Sequence, residues 1–212
     1  MASDIDFPAA IMERRTVSAW TADSGGVTAP DTALVNAARE GDREAFGLLY
    51  DRYARVVHGV LLARVPYSAV EDLVQDVFLQ ALGRLRSLRD AASFGAWIAT
   101  IARNRAHDYH RRSRDTVELT DDLLGEEGAS TDASRPMRAT ATAAGPAADA
   151  EAAAALAAIR SLPEAYRETL ILRLVEGMTG PEIAARTGLT PGSVRVNLHR
   201  GMQQLRDKLG SG

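Results

Sequence analysis

Apolar residues recur along this chain at three- and four-residue spacings, which predicts helix in nearly every ordered segment. Pro30 and Asp31 open the first helix, with Asp31 as its N-cap, and Gly41 ends it. Residues 42–64 carry Phe46, Leu49, Tyr53, Val56, Val57, Val60 and Leu61 on one stripe, and Pro66 breaks the run. Ser68-x-x-Glu71 reads as a capping box, in which hydroxyl and carboxylate each satisfy an orphan backbone N–H. The helix that follows places Val70, Leu73, Val74, Val77, Ala81 and Leu85 inward. Residues 88–93 form a short loop, and a long helix from about 94 to 114 buries Trp97, Ile98, Ile101 and Ala102. No alternating strand pattern is present, so the expected fold class is all-α.

Breakers and composition divide the chain. Residues 115–150 are rich in Asp, Glu, Ala, Thr, Gly and Pro, as expected of a flexible acidic linker. Residues 21–30 carry Gly25, Gly26 and Pro30. The expected organisation is a poorly ordered N-terminal extension at 1–30, a helical domain at 31–114, the linker at 115–150, and a smaller helical domain at 151–209.

Charge sharpens this picture. The net charge of −3 hides a basic block at 103–114 with five Arg, followed by seven acids and no Lys or Arg at 115–132. Such segregation suits a protein that touches nucleic acid at chosen places, and equally a solvated helix end beside a solvated loop. Arg is abundant throughout, with Lys208 the lone Lys among 25 basic residues, so Arg content by itself names no partner. The absence of Cys excludes a disulfide scaffold, a Cys-ligated metal and a Cys nucleophile. No apolar run approaches a bilayer span and the first residues lack a secretory h-region, so a cytoplasmic location is expected. His107 and His110 share a helix face with Asp108, but neighbouring arginines repel a cation and no third ligand is evident. No phosphate-binding glycine loop or nucleophile elbow is present. No metal, no cofactor, no catalytic residue and no enzymatic activity are expected.

The most specific local pattern lies at 179–209. Thr179-x-x-Glu182 is a capping box with Pro181 in the first turn, and Ile183 and Ala184 face inward. Gly188 sits where the chain must turn through left-handed φ, and Leu189 fills the corner. Thr190 and Pro191 open a second helix with Val194, Leu198, Met202 and Leu205 inside. Its outward face is Ser193, Arg195, Val196, Asn197, His199 and Arg200. A helix, a tight turn and a longer helix with a polar, basic N-terminal half is the arrangement that enters a major groove. There Arg pairs with guanine and Asn with adenine, while Thr190 and Ser193 meet a phosphate at the helix N-terminus. A plain helical hairpin with solvated arginines is the bland reading of the same residues.

Two further blocks carry a family resemblance. Glu71-Asp72-Leu73-Val74-Gln75-Asp76-Val77-Phe78, followed by Phe94, Trp97, Ile98, Ile101, Ala102, Asn104, Asp108 and Arg111, resembles region 2 of bacterial sigma factors of the extracytoplasmic-function type. Residues 36–53 resemble the start of that region. Leu162-Pro163, Arg167, Leu170, Leu174, Gly177, Glu182-Ile183-Ala184, Gly188, Ser193-Val194, Arg200 and Leu205 resemble region 4. The resemblance covers about 31–209 less the linker.

It implies an alternative sigma factor that binds core RNA polymerase, through the β′ clamp helices and the β flap, and directs initiation at promoter DNA. Asp72, Gln75, Asp76 and Leu79 lie opposite an apolar stripe, and an exposed Leu among acids and amides suits a docking face; the resemblance assigns them to core polymerase. It assigns Arg89, Asp90, Ala91, Ala92 and Ser93 to a pocket that captures a minus-ten base, and Asn104, Arg105, His107, Arg111 and Arg112 to the strand and adjacent phosphates. Asp108 sits within this basic face and is a candidate to orient an Arg. Thr190, Ser193, Arg195, Val196, Asn197, His199 and Arg200 fall to the minus-thirty-five element. The melting loop lacks the aromatics common in the family, and Val196 and Asn197 depart from its usual residues. The resemblance also implies an anti-sigma partner, and a linker that threads toward the RNA exit path. The rival reading is a stand-alone helix-turn-helix regulator whose first domain senses or dimerises.

Overall fold

A computed structural model describes residues 29–123 and 146–210, with side chains at 29–113 and 152–210. The described residues form helices joined by turns and contain no strand. In chain order the helices are α1 (Asp31–Arg39), α2 (Arg43–Leu62), α3 (Val70–Arg84), α4 (Phe94–Leu123), α5 (Pro146–Arg160), α6 (Glu164–Leu174), α7 (Gly180–Thr187) and α8 (Pro191–Gly210).

Helices α1 to α4 pack around Leu49, Val57, Val60, Leu61, Val77, Ala81, Leu85, Phe94 and Ile98, all essentially inaccessible to solvent. Burying side chains of this size contributes roughly 1.5–3 kcal/mol each, before the entropy of ordering them. Phe78 lies between the rings of Phe46 and Tyr50, with centroids 6.4 and 4.4 Å away, and clamps α3 onto α2. Helices α5 to α8 close around Ile159, Leu162, Leu170, Ile171, Ile183 and Leu205. The two groups also touch one another, α2 against α6 and α4 against α7, so their buried side chains form a continuous cluster.

Local signals were met in most places. Asp42 caps α2 by accepting the N–H groups of Glu44 and Ala45 at 2.9 and 3.1 Å. Two expected caps differ. Asp31 is the first residue of α1, not its cap; Pro30 holds that position, and the Asp31 carboxylate is drawn sideways to Arg52 and the Tyr53 hydroxyl. Burial and this carboxylate push the Tyr53 phenol well above its ordinary value. The capping box expected at Ser68 and Glu71 does not form. Pro66 launches a 3-10 turn at Tyr67–Ala69, so Ser68 lies inside a turn and α3 begins uncapped at Val70. Helix α4 runs on to Leu123, into the segment expected to be linker, and Pro146 opens α5 instead of breaking it. Most of the expected N-terminal extension, residues 1–28, and residues 124–145 of the expected linker lie outside the described residues.

Candidate nucleic-acid interface and docking face

The turn between α7 and α8 is built as its residues require. The Thr179 hydroxyl accepts the Glu182 N–H at 3.4 Å, and the Glu182 carboxylate accepts the Thr179 N–H at 2.8 Å. That backbone N–H, then the Thr179 hydroxyl, hold the Glu182 carboxyl below the usual carboxylate range. Gly188 ends α7 at φ 76°, ψ 8°, where a Cβ is penalised. The Thr190 hydroxyl then accepts the Ser193 N–H at 3.1 Å and starts α8. Thr190 and Ser193 also bond to each other at 2.8 Å, so their hydroxyls begin partnered.

Along α8, Val194 and Leu205 are buried. Ser193, Arg195, Val196, His199 and Arg200 are exposed, with Asn197 half-buried beside them. The expected recognition face is therefore continuous on one side of the helix. Val196 stays 44% exposed, an apolar side chain among the polar ones of this face.

On α3, Asp72 and Gln75 are exposed and Leu79 is 68% exposed, so three of the four residues of the stripe face solvent, while Asp76 is half-buried. Leu82, missed in the sequence reading, is 49% exposed and extends the stripe by one turn. Its signal was available: it lies three residues after Leu79, on the same helical face. Asp76 is engaged; its carboxylate pairs with Arg105 of α4. A residue expected to dock polymerase thus holds one expected to face DNA.

The loop at 88–93 is a compact turn. Asp90 accepts the Ala92 N–H at 3.0 Å and the Ser93 hydroxyl at 2.7 Å. The Ser93 hydroxyl, then the Ala92 N–H, hold its carboxyl below the usual range. Asp90 and Ser93 therefore brace the loop through each other while staying exposed, as Arg89 and Ala92 are, and Ala91 is half-buried. Arg39 donates to the Leu85 carbonyl at 3.3 Å and to the Leu88 carbonyl, tying α1 to this loop. Nothing in the spacing of Arg39 signals that role.

Beyond the loop, Asn104, His107, Arg111 and Arg112 project from α4 as exposed side chains. Asp108 pairs with Arg111 at 3.2 Å, the orienting contact expected of it. His110 meets the Arg64 carbonyl at 2.8 Å. Trp97 is half-buried against Phe94, with centroids 5.9 Å apart. Among the described residues no cluster of ligating side chains fits a metal, and no helix is long and apolar enough to cross a membrane.

Between the two helical groups lies a contact that sequence reading missed. Glu168 of α6 is 5% exposed, and its carboxylate accepts from Arg103 at 2.6 and 3.1 Å. Arg64 reaches the same carboxylate at 2.8 Å. Burial alone would raise this carboxyl, but the two guanidinium groups outweigh it and hold the pKa below the ordinary 4.5.

Comparisons with known proteins agree with this geometry. Residues 49–116 match Sigma-70 region 2, and residues 152–205 match Sigma-70, region 4. RNA polymerase sigma factor CarQ of Myxococcus xanthus is 33% identical over 81% of this chain and 93% of its own length. The ECF RNA polymerase sigma-E factor of Escherichia coli K12 is 30% identical over 84% of this chain and 94% of its own. Among solved structures, CnrH in complex with the cytosolic domain of CnrY is similar at 25% identity and a TM-score of 0.57, covering 85% of this chain and 97% of that one. The order of the two matched regions, the exposed α8 face and full-length similarity to these relatives converge: the chain belongs to the extracytoplasmic-function sigma factors of the sigma-70 family.

Proposed function

We propose that this alternative sigma factor divides promoter-specific initiation between its two helical groups, along the boundaries 31–114 and 151–209. Asp72, Gln75, Asp76 and Leu79 meet the β′ clamp helices of core RNA polymerase, with Leu82 extending the apolar contact, and the second group meets the β flap. Arg195, Asn197, His199 and Arg200 read base edges of the minus-thirty-five element, with Val196 against a methyl and Thr190 and Ser193 on a phosphate. The turn at 88–93 frames the minus-ten pocket: Arg89 and Ala92 line its mouth, while Asp90 and Ser93 hold its shape around Ala91. Asn104, Arg105, His107, Arg111 and Arg112 hold the strand and flanking phosphates.

The observation that carries this reading is the coexistence, in one chain, of a solvent-facing Leu79 among acids on α3 and an exposed basic face on α8. A stand-alone regulator has use for the second but not for the first. The chain carries no catalysis of its own; RNA synthesis belongs to the polymerase it joins. It works in the cytoplasm, where an anti-sigma protein that covers these faces would hold it silent.

The test is transcription in vitro with sigma-free core polymerase and fragmented genomic DNA of the source organism. The expected result is new transcripts that start downstream of a shared two-part motif. No transcripts together with no co-elution with core would overturn the reading in favour of the stand-alone regulator.

A further inference from the structure

An apolar track crosses the outer side of α2 and has no cover among the described residues. Leu48 of α2 is 47% exposed and lies one turn before Arg52 on the same helical face. Beside it stands Gly47, in the interior of α2. Glycine disfavours helix, and here it makes room for nothing within the described chain: a Cβ at Gly47 would have no neighbour within 4 Å. The half-buried rings of Phe46 and Tyr50 come next and lean on Phe78 of α3. One turn beyond Phe78 is Leu82, 49% exposed, followed by Gly83, where a Cβ would also meet nothing. Two exposed leucines, each beside a glycine with open space over it, suit the close approach of another backbone.

The course of the chain points to the occupant. Arg52 donates to the Ala29 carbonyl at 3.2 Å and pairs with Asp31. The point where residues 1–28 join the fold is thereby pinned one turn from Leu48. Within that segment, residues 11–20 combine Ile11, Met12, Val17 and Trp20 with the segment's only two bases, Arg14 and Arg15. The nine residues from Trp20 to Ala29 reach up to about 30 Å when extended. Neighbouring helix axes lie roughly 8–10 Å apart, so this reach covers α2 and the near side of α3. Charge agrees. Glu44 and Asp51 lie one turn to either side of Leu48, exposed and with no counter-ion among the described residues, and Arg14 and Arg15 supply two.

We propose that residues 11–20 dock on this track, with Trp20 over Gly47 and Leu48 and the residues before it reaching Leu82. The consequence for polymerase rests on the proposed function; the docking itself does not. Leu82 extends the contact assigned to core polymerase, so the docked segment and the polymerase compete for it. The N-terminal extension is then an intramolecular competitor. It shields the edge of the docking face in the free chain and raises the polymerase concentration at which the factor engages.

Trp20 and Trp97 are the chain's two tryptophans, so Trp97→Phe leaves Trp20 as the lone fluorophore. Acrylamide quenching is measured on that background in the free, full-length protein, with Gly47 intact and with Gly47→Leu. The Cβ introduced by Gly47→Leu meets no atom within 4 Å, and Leu favours helix over Gly, so the track is filled without weakening α2. Where Trp97→Phe costs helix content, the difference in quenching between the parent and Trp20→Phe gives the same quantity. The expected result is a shielded Trp20 that becomes clearly more accessible in Gly47→Leu, with helix content retained. Trp20→Ala should also bind core polymerase about threefold tighter, if the segment covers the face in roughly two of three free molecules. A Trp20 as accessible as free tryptophan while Gly47 is intact, or shielding unmoved by Gly47→Leu, would overturn docking on this track. Shielding that grows with protein concentration would overturn it in favour of a second copy of the chain. Unchanged core affinity in Trp20→Ala would overturn the competition. Failure of the parent to bind core bears on the sigma-factor assignment; quenching in the free chain still decides the docking.

Discussion

Gly188 joins two demands at one position, and a double-mutant cycle separates them. Its φ of 76° ends α7, and a Cβ there would lie 2.6 Å from the Ala96 Cβ on α4. Gly188→Ala therefore incurs a left-handed penalty of about 1–2 kcal/mol and an overpacking penalty of about 1–3 kcal/mol. It recovers about 0.4–1 kcal/mol from the stiffer unfolded chain. The net expectation is a loss of about 2–4 kcal/mol. Ala96→Gly costs about 1 kcal/mol in helix propensity and opens the space the new methyl needs. The double variant should then be less destabilised than the sum of the singles by about 1–3 kcal/mol, because only the steric part is relieved. Urea unfolding followed by far-UV circular dichroism measures all three. Additivity within ~0.5 kcal/mol would mean that α7 and α4 do not meet in solution, and would refute the packing of the two helical groups.

Three further outcomes follow from the same geometry. Arg195→Ala should lower discrimination at one base pair of the upstream element by about 1–3 kcal/mol, read by competition binding of the holoenzyme to single-base promoter variants; unchanged base preference would remove Arg195 from the reading face. Leu79→Asp should weaken core polymerase binding by at least about tenfold, since an apolar contact worth roughly 1.5–3 kcal/mol is replaced by a charge that must be desolvated; titration against labelled core measures it, and an unchanged affinity would move the docking face elsewhere. Glu168 has a folded pKa below its ordinary 4.5, so its contribution is complete above that value and is lost as the pH falls through the folded pKa. The stability gap between the parent and Glu168→Gln should therefore be constant at neutral pH and shrink in acid below 4.5; a gap that grew on acidification would reverse the assigned sign.

Much of the architecture could be read from local chemistry. The Thr179 and Glu182 box, the left-handed Gly188 and the inward stripe of Val194 and Leu205 each need only residues within a turn of one another, and each formed. The misses share a cause. Asp31 has the composition of a cap, but Arg52 and Tyr53, a helix away, compete for its carboxylate. Ser68 and Glu71 have the spacing of a box, but Pro66 starts a 3-10 turn first. Glu168 reads as an ordinary surface residue of a charged helix, because the arginines that justify its burial lie on other elements far away in sequence. Gly59 shows no turn signal at all; its reason is the approach of Leu172. Among the assigned surfaces, the α8 face and Leu79 followed from helical periodicity. The hydrogen bond between Asp90 and Ser93, and the pairing of Asp76 with Arg105, did not.

The Asp76–Arg105 contact has a thermodynamic consequence in the proposed assignment. A basic group on the polymerase that takes Asp76 leaves Arg105 without its carboxylate, and a promoter phosphate is the natural replacement. One pair within the chain is then replaced by two pairs between molecules. Because each phosphate neutralised by Arg releases condensed counterions, the holoenzyme should show a salt slope of log affinity for promoter DNA steeper by about one unit than it would with Arg105 held back. Ionic strength thus becomes a meter of whether that exchange has taken place.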